Sequence, residues 1–334
     1  MDIKRFYAVF KARNIEFFRD RSSLSWNLVF PVLLLVGLSF IFSGDGRAVY
    51  KVGVMDLPQV HSPFIDTRYI EFIDYRQQET ARKKLSRHHI DLLIDFDSRQ
   101  YWVNEQSPKS YLAEKIWLGA QTGFTRQQAS GKQIRYVDWV LPGILGMNMM
   151  FSCLFGVGYV IVRYRKNLVL KRLKATPLSA FEFVCAQLLS RLFIVMLMSV
   201  VIYAGCNVFF DFYMSGSYLD LLLIGLLGGF SLITLALLMS SRSKSEELVG
   251  GLLNMTSWPM MLLSGVWFSL EGAPEFLKRL ADFLPLTHLV KGARAVITEG
   301  ASLAQISDHL LALAVMSVIF LSLGAWLFSW NGEG

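Results

Sequence analysis

The chain has 334 residues, 53% of them hydrophobic, a net charge of +7 and a positive mean hydropathy of +0.41. Its apolar residues come in long blocks almost free of charge, which excludes an ordinary soluble domain, where apolar and polar positions interleave at helical or strand spacing. The basic residues flank those blocks as topology signals do, so the excess positive charge implies a lipid bilayer and no nucleic acid as partner.

Residues 1–23 mix Phe6, Val9, Phe10, Phe17 and Phe18 with Lys4, Arg5, Lys11, Arg13, Arg19 and Arg21. That mixture predicts a cytoplasmic interfacial helix, its apolar face in lipid and its basic face toward anionic headgroups. The first transmembrane helix is predicted over 24–42, Leu24 to Phe42. The basic start and Ser43-Gly44 also resemble a signal peptide, but the apolar stretch exceeds a typical h-region, which favours an uncleaved anchor. Residues 43–138 are the one long polar segment. Strand-like runs at Tyr50–Met55, Ile70–Tyr75, Ile90–Phe96 and Gln100–Asn104, with helix-like stretches at Gln77–Arg87 and Pro108–Ser130, predict a small α/β domain. Its length of about 95 residues suits one compact body. His88-His89 with Asp91 and Asp95 match no strong zinc spacing, so no metal site is read there. Cys153, Cys185 and Cys206 lie in or beside apolar blocks and read as small buried apolar residues, not a disulfide framework.

Five more apolar runs follow in 139–330: Trp139–Val162, Phe183–Phe210, Leu221–Ser241, Leu248–Leu270 and Leu310–Trp330. Each is long enough to cross roughly 30 Å of hydrocarbon as a helix. Arg191, early in the third span, is placed where a long side chain can snorkel to the interface. The expected fold is an α-helical polytopic membrane protein: six transmembrane helices with an inserted small α/β extracytoplasmic domain. Three segments are rich in Lys and Arg: the N-terminus; Arg163, Arg165, Lys166, Lys171, Arg172 and Lys174; and Arg242 with Lys244. Six spans alternate consistently if all three face the cytoplasm, which puts both termini there and the 43–138 and 271–309 segments outside.

The segment 163–178 reads as a short amphipathic helix, with Leu168, Leu170 and Leu173 among basic residues, broken by Thr176-Pro177. Such a helix across the mouth of the bundle suits docking into a partner's groove; a basic loop with no partner is the plainer alternative. The 271–309 segment carries Phe276, Leu277, Leu280, Phe283 and Leu284 around Pro285, too apolar for a free loop. In the fifth span Pro259 lies near Asn254, Thr256 and Ser257, which either bond freed backbone or face a path. No G-x-x-x-x-G-K-[ST] phosphate loop is present; Ser130-Gly131-Lys132 lacks the first glycine and the residue after lysine.

The string Arg172-Leu173-Lys174-Ala175-Thr176-Pro177-Leu178-Ser179 resembles the coupling-helix motif of type-2 ABC exporter permeases, roughly E-R-E-x-G-T-L-E-x-L-x-x-T-P. Leu263-Ser264-Gly265-Val266-Trp267-Phe268 is similar to that family's Ser-Gly end of the fifth span. Leu284-Pro285-Leu286-Thr287-His288, with Arg294 following, is similar to its N-P-L-T-x segment. The departures are Tyr164, Lys166 and Lys171 at acidic positions and Leu168 at the glycine. The resemblance implies a permease that pairs with a second permease subunit, as homo- or heterodimer, and with separate ABC ATPase subunits that carry ATP-Mg; no cofactor belongs to this chain. It implies ATPase coupling through Arg165, Leu170, Arg172, Leu173, Thr176 and Pro177. A substrate path or gate is read at Asn254, Thr256 and Ser257 beside Pro259 and at Ser264, Phe268, Pro285, Thr287 and His288 of the family-like strings. The resemblance implies that short helices in 271–309 dip back into the outer leaflet and close the exit, a helix lying on the bilayer being the plainer alternative. Spans nearly free of ionisable residues point to an amphipathic or lipid-like cargo. Two other classes stay open: a membrane-anchored sensor or assembly factor acting through 43–138, and an intramembrane enzyme, for which His288 and His309 are the nearest candidates.

Overall fold

The computed structural model describes residues 2–41, 49–56, 64–65, 67, 69–120, 125–129, 134–243, 245–270 and 273–328. Phe42 to Gly44, Ser130 to Lys132, Lys244, Glu271 and Trp330, used above, lie outside the described residues. In chain order the elements are α1 (Ile3–Arg19), α2 (Arg21–Ile41), β1 (Tyr50–Met55), β2 (Ile70–Tyr75), α3 (Gln78–Ser86), β3 (Leu92–Asp95), β4 (Gln100–Asn104), α4 (Pro108–Ala120), β5 (Thr125–Ala129), α5 (Tyr136–Lys166), α6 (Val169–Lys174), α7 (Ala180–Phe210), α8 (Tyr218–Ser240), α9 (Glu246–Leu263), α10 (Glu275–Asp282), α11 (Pro285–Glu299) and α12 (Ser307–Leu327). They form two units, Ser39–Tyr136 and the remainder.

The Ser39–Tyr136 unit holds a five-stranded sheet of order β2-β1-β3-β4-β5, parallel except between β3 and β4. Successive side chains on a strand point to opposite faces, and both faces here are apolar. Val52, Val54, Leu92, Ile94, Tyr101 and Val103 pack with Ala113 and Trp117 of α4 on one face. Leu93 and Trp102 pack with Ala81 and Leu85 of α3 on the other. The helix predicted over Pro108–Ser130 stops at Ala120, and 125–129 pairs instead as a strand beside β4. Gly123 and the β-branched Thr122 and Thr125 weaken helix there. Asp91, just before β3, ties the sheet's first crossover: its Oδ2 accepts Lys51 N–H at 2.8 Å and its own N–H donates to Lys51 O at 2.7 Å. Among the described residues no three potential ligating side chains converge on a metal position.

The second unit is helical. Four of its helices are long and apolar enough to cross a membrane: α5, α7, α8 and α12. The α1–α2 pair, bent by 61°, brings the number to five if it counts as one span. The fifth predicted run, Leu248–Leu270, does not continue as one helix. α9 starts on Glu246-Glu247, carries Asn254, Thr256, Ser257 and Pro259, and ends at Leu263. Gly265 then turns the chain with φ +68, a left-handed conformation open to glycine at no steric cost. Gly143 on α5 lets this turn approach, since a Cβ there would meet Val266 O at 2.6 Å. α11, only 15 residues long, is nonetheless largely enclosed, with Pro285 to Val290 all buried.

Burial raises the Asp91 pKa above the ordinary carboxylate value, against the Lys51 N–H bond that lowers it. A carboxyl with a raised folded pKa holds its proton more tightly in the fold, so the sheet unit gains stability as pH falls through that pKa. Asp91→Asn keeps an acceptor for Lys51 N–H without a charge. Hydrogen exchange across β1 in the full chain is expected to show equal or greater protection at neutral pH and a flatter dependence down to about pH 4. Strongly reduced protection would contradict this.

Candidate functional site

Five helix ends and a short helix meet where α5 finishes on Arg163, Tyr164, Arg165 and Lys166. At Leu168 the chain turns through φ +58 into the six-residue α6, then turns again at Ala175 to Pro177 before α7. Arg165 is 3% exposed and faces inward. Its Nη1 donates to Ser240 O at 3.0 Å, its Nη2 to Ser241 O at 2.7 Å, and Nη1 also reaches Ser243 O. The Ser240 and Ser241 carbonyls lie at the end of α8, where no intrahelical partner remains and the helix dipole is negative, and Ser243 lies in the turn that follows. Leu170 is fully buried, while Leu168 is 55% exposed, Arg172, Thr176 and Pro177 are exposed and Leu173 is half-buried. Thr176 Oγ1 closes the turn by donating to Leu173 O at 2.6 Å.

α1 is fastened to the same end. Ser179 and Glu182 form a capping box at the start of α7, and Glu182 Oε1 also accepts Asp2 N–H at 2.6 Å. Arg5 donates to Pro177 O. Further along α1, Arg13 Nη1 donates to Tyr164 OH at 2.8 Å and also binds Glu16, whose Oε2 accepts from Tyr164 OH at 2.7 Å. Lys166 pairs with Glu246 of α9 at 3.6 Å. So α6 sits on a frame in which α1, α5, α7, α8 and α9 are joined by charge-assisted bonds. None of these partners followed from the basic pattern; the Ser179-x-x-Glu182 box was the one signal in the sequence.

At the other end of α5, Arg294 of α11 spans three elements. Its Nη2 donates to Gly265 O at 2.8 Å, its Nε to Trp139 O at 3.2 Å, and its guanidinium lies 4.0 Å from the Trp139 ring centroid. Ser264 and Thr287 hydroxyls meet at 3.0 Å in a buried contact beside this clamp. His288 Nε2 lies 2.8 Å from Asp282 O, so it is the donor there, and its Nδ1 faces His309 Nδ1 at 3.1 Å. Ser264, Pro285, Thr287 and His288 therefore come together. Phe268 is exposed. Asn254 and Thr256 lie earlier on α9, with Asn254 Nδ2 bonded to Gly250 O at 2.9 Å and exposed, and Ser257 buried and bonded to Asn254 O.

Long apolar helices and a compact set of capped ends define a polytopic membrane protein. The match that names its kind is a family model, "ABC-2 family transporter protein", over residues 21–326, and the chain belongs to that family. The family is the membrane component of ABC transporters, is not itself catalytic, and generally pairs with ABC ATPase subunits. That sets aside the intramembrane enzyme. No curated protein matches the chain.

Arg165→Met leaves the Ser240 and Ser241 carbonyls at the end of α8, and that of Ser243 just beyond, without this donor. It is expected to lower the stability of the helical unit by about 2–4 kcal/mol, whereas exposed Arg172→Gln changes it by about 0.5 kcal/mol or less. Thermal unfolding in detergent compares the two; equal midpoints would contradict the capping role.

Proposed function

We propose that this chain is the permease subunit of an ATP-driven exporter in a bacterial inner membrane, with ATP-Mg bound and hydrolysed on separate ABC ATPase subunits. The observation that carries the reading is the division of labour along 163–178. Arg165 and Leu170 are buried and fasten the segment, while Leu168 at the turn into α6 and Lys171 and Arg172 on it are exposed. A short exposed helix on a braced frame suits insertion into a groove of a partner. Closure of the ATPases on ATP then moves α6, and the bonds from α1, α7, α8 and α9 carry that motion into the spans. In this reading six crossings include α2 and the shortened α9, the basic end and both termini face the cytoplasm, and the 43–138 domain lies outside.

The exposed flank of α9 carries Leu252, Met255, Trp258 and Leu262 beside exposed Asn254. A polar amide on that face suits a protein neighbour better than lipid, which supports pairing with a second permease subunit. On the exterior side, α10 and the residue that ends it present exposed Phe276, Leu280 and Phe283 beside buried α11, an arrangement suited to a helix dipping into the outer leaflet to close the exit. Cargo of amphipathic or lipid-like character fits spans so poor in charge.

The chain carrying an affinity tag, purified from its native membrane, is expected to bring an ABC ATPase with it. Leu168→Asp combined with Leu173→Asp should reduce that recovery by roughly tenfold or more, while the volume-conserving Leu170→Met should not. Unchanged recovery with the double aspartate variant would remove α6 as the docking element.

A further inference from the structure

Between α1, α2, α5 and α7 lies a cavity of about 520 Å³, with walls of two kinds. Phe17, Trp26, Phe30 and Phe151 form an aromatic side. Arg13, Arg163 and Arg191 bring three cations to it, Glu16 and Asp20 two carboxylates, so the lining keeps a net positive charge.

Arg191 is the unusual member. It sits on α7, one of the helices apolar enough to span a membrane, yet it is 9% exposed and faces inward, where its sequence position suggested snorkelling. It turns in because Gly156 opposite has no side chain; a Cβ there would collide with the guanidinium. Its Nε donates to Ser152 O at 2.8 Å, its Nη2 reaches the same oxygen, and the Phe17 ring centroid lies 5.5 Å from its Cζ. Among the described residues it forms no ion pair. One carbonyl and one ring offer partial charges to a full cation that has five donors. Arg13 nearby is equally buried, and its Nε has no acceptor among the described residues. Glu16 is already bound by Arg13 and Tyr164. Ionisable groups at membrane depth are costly and mark paths and ligands.

We infer that this cavity binds an anionic amphiphile, a phosphate-bearing lipid of the cytoplasmic leaflet, with its headgroup on Arg191 and Arg163 and its first methylenes along the aromatic wall. A guanidinium fork matches phosphate oxygens in pairs, and anionic lipids populate that leaflet. The volume is that of a site for a small molecule, enough for a headgroup and the start of a chain whose remainder stays in the bilayer. The leaflet assignment rests on the orientation proposed above. The binding itself does not depend on ATPase docking, so a failed ATPase recovery and a failed lipid measurement are separate results.

Native mass spectrometry of the full chain in neutral detergent, titrated with phosphatidylglycerol or with phosphatidylcholine of the same acyl chains, tests it. One phosphatidylglycerol is expected to bind roughly tenfold more tightly than phosphatidylcholine. Arg191→Gln should bring the two to parity. Arg163→Gln, at the exposed rim and without a packing role, should lower the preference about threefold. Lys171→Gln and Arg242→Gln, exposed basic residues outside the cavity, should leave it unchanged. Equal binding of both lipids overturns the inference, as does a preference that survives Arg163→Gln and a folded Arg191→Gln. Loss of the preference in Lys171→Gln or Arg242→Gln, or displacement of the lipid by inorganic phosphate, overturns it too.

Discussion

Hydrocarbon offers no hydrogen bonds, so the backbone N–H and C=O groups of the spans must find their partners inside the protein. Arginine solves this problem repeatedly here, by donating to main-chain carbonyls at places where helices stop or approach closely. Arg165 collects the last carbonyls of α8. Arg294 gathers Gly265 and Trp139, joining the turn after α9 to the start of α5. Arg191 reaches Ser152 across a gap opened by a glycine. These bonds allow a broken helix and a buried 15-residue helix to exist within a unit otherwise built of long apolar spans.

The same bonds explain how a six-residue helix can act on a bundle. α6 is too short to be stable alone, since a single turn fixes many dihedrals for few hydrogen bonds. It stands because Leu170 is buried beneath it and because both flanks are anchored, through Arg165 to α8 and through the Ser179–Glu182 box to α7 and α1. A force applied to the displayed Leu168 and Arg172 therefore meets a frame instead of a loose loop. That is the physical content of the proposed coupling, and it ties the exposed face to the spans without requiring any residue to do both.

Much of the architecture was legible in the sequence where one force dominates. The apolar runs of α5, α7, α8 and α12 announce themselves because hydrocarbon selects them by length. β1 and β2 coincide with their predicted runs because both are rich in β-branched and aromatic residues; Val52, Gly53 and Val54 of β1 are buried, while β2, at the sheet edge, is half-buried with Asp74 exposed. β5 escaped notice because Thr-Arg-Gln-Gln-Ala has no apolar alternation; its order comes from pairing with β4. The apolar run to Leu270 overshoots the end of α9 because hydropathy reads through Ser264-Gly265, where the backbone turns; the Ser-Gly motif marked that end and the hydropathy did not. At the candidate site, spacing grouped six residues by charge and motif but could not tell Arg165 and Leu170, which hold, from Arg172, which is displayed. Direction on a helix depends on neighbours far away in sequence, as Arg191 shows.

The account stands or falls on which face of the membrane carries the braced basic end. With Cys153, Cys185 and Cys206 replaced by alanine, Thr176→Cys provides one thiol in the exposed turn after α6. A membrane-impermeant maleimide is expected to label it in inside-out vesicles and not in intact cells. Labelling from the outside of intact cells would place this end where no ATP-hydrolysing partner can reach it, and would contradict the coupling role.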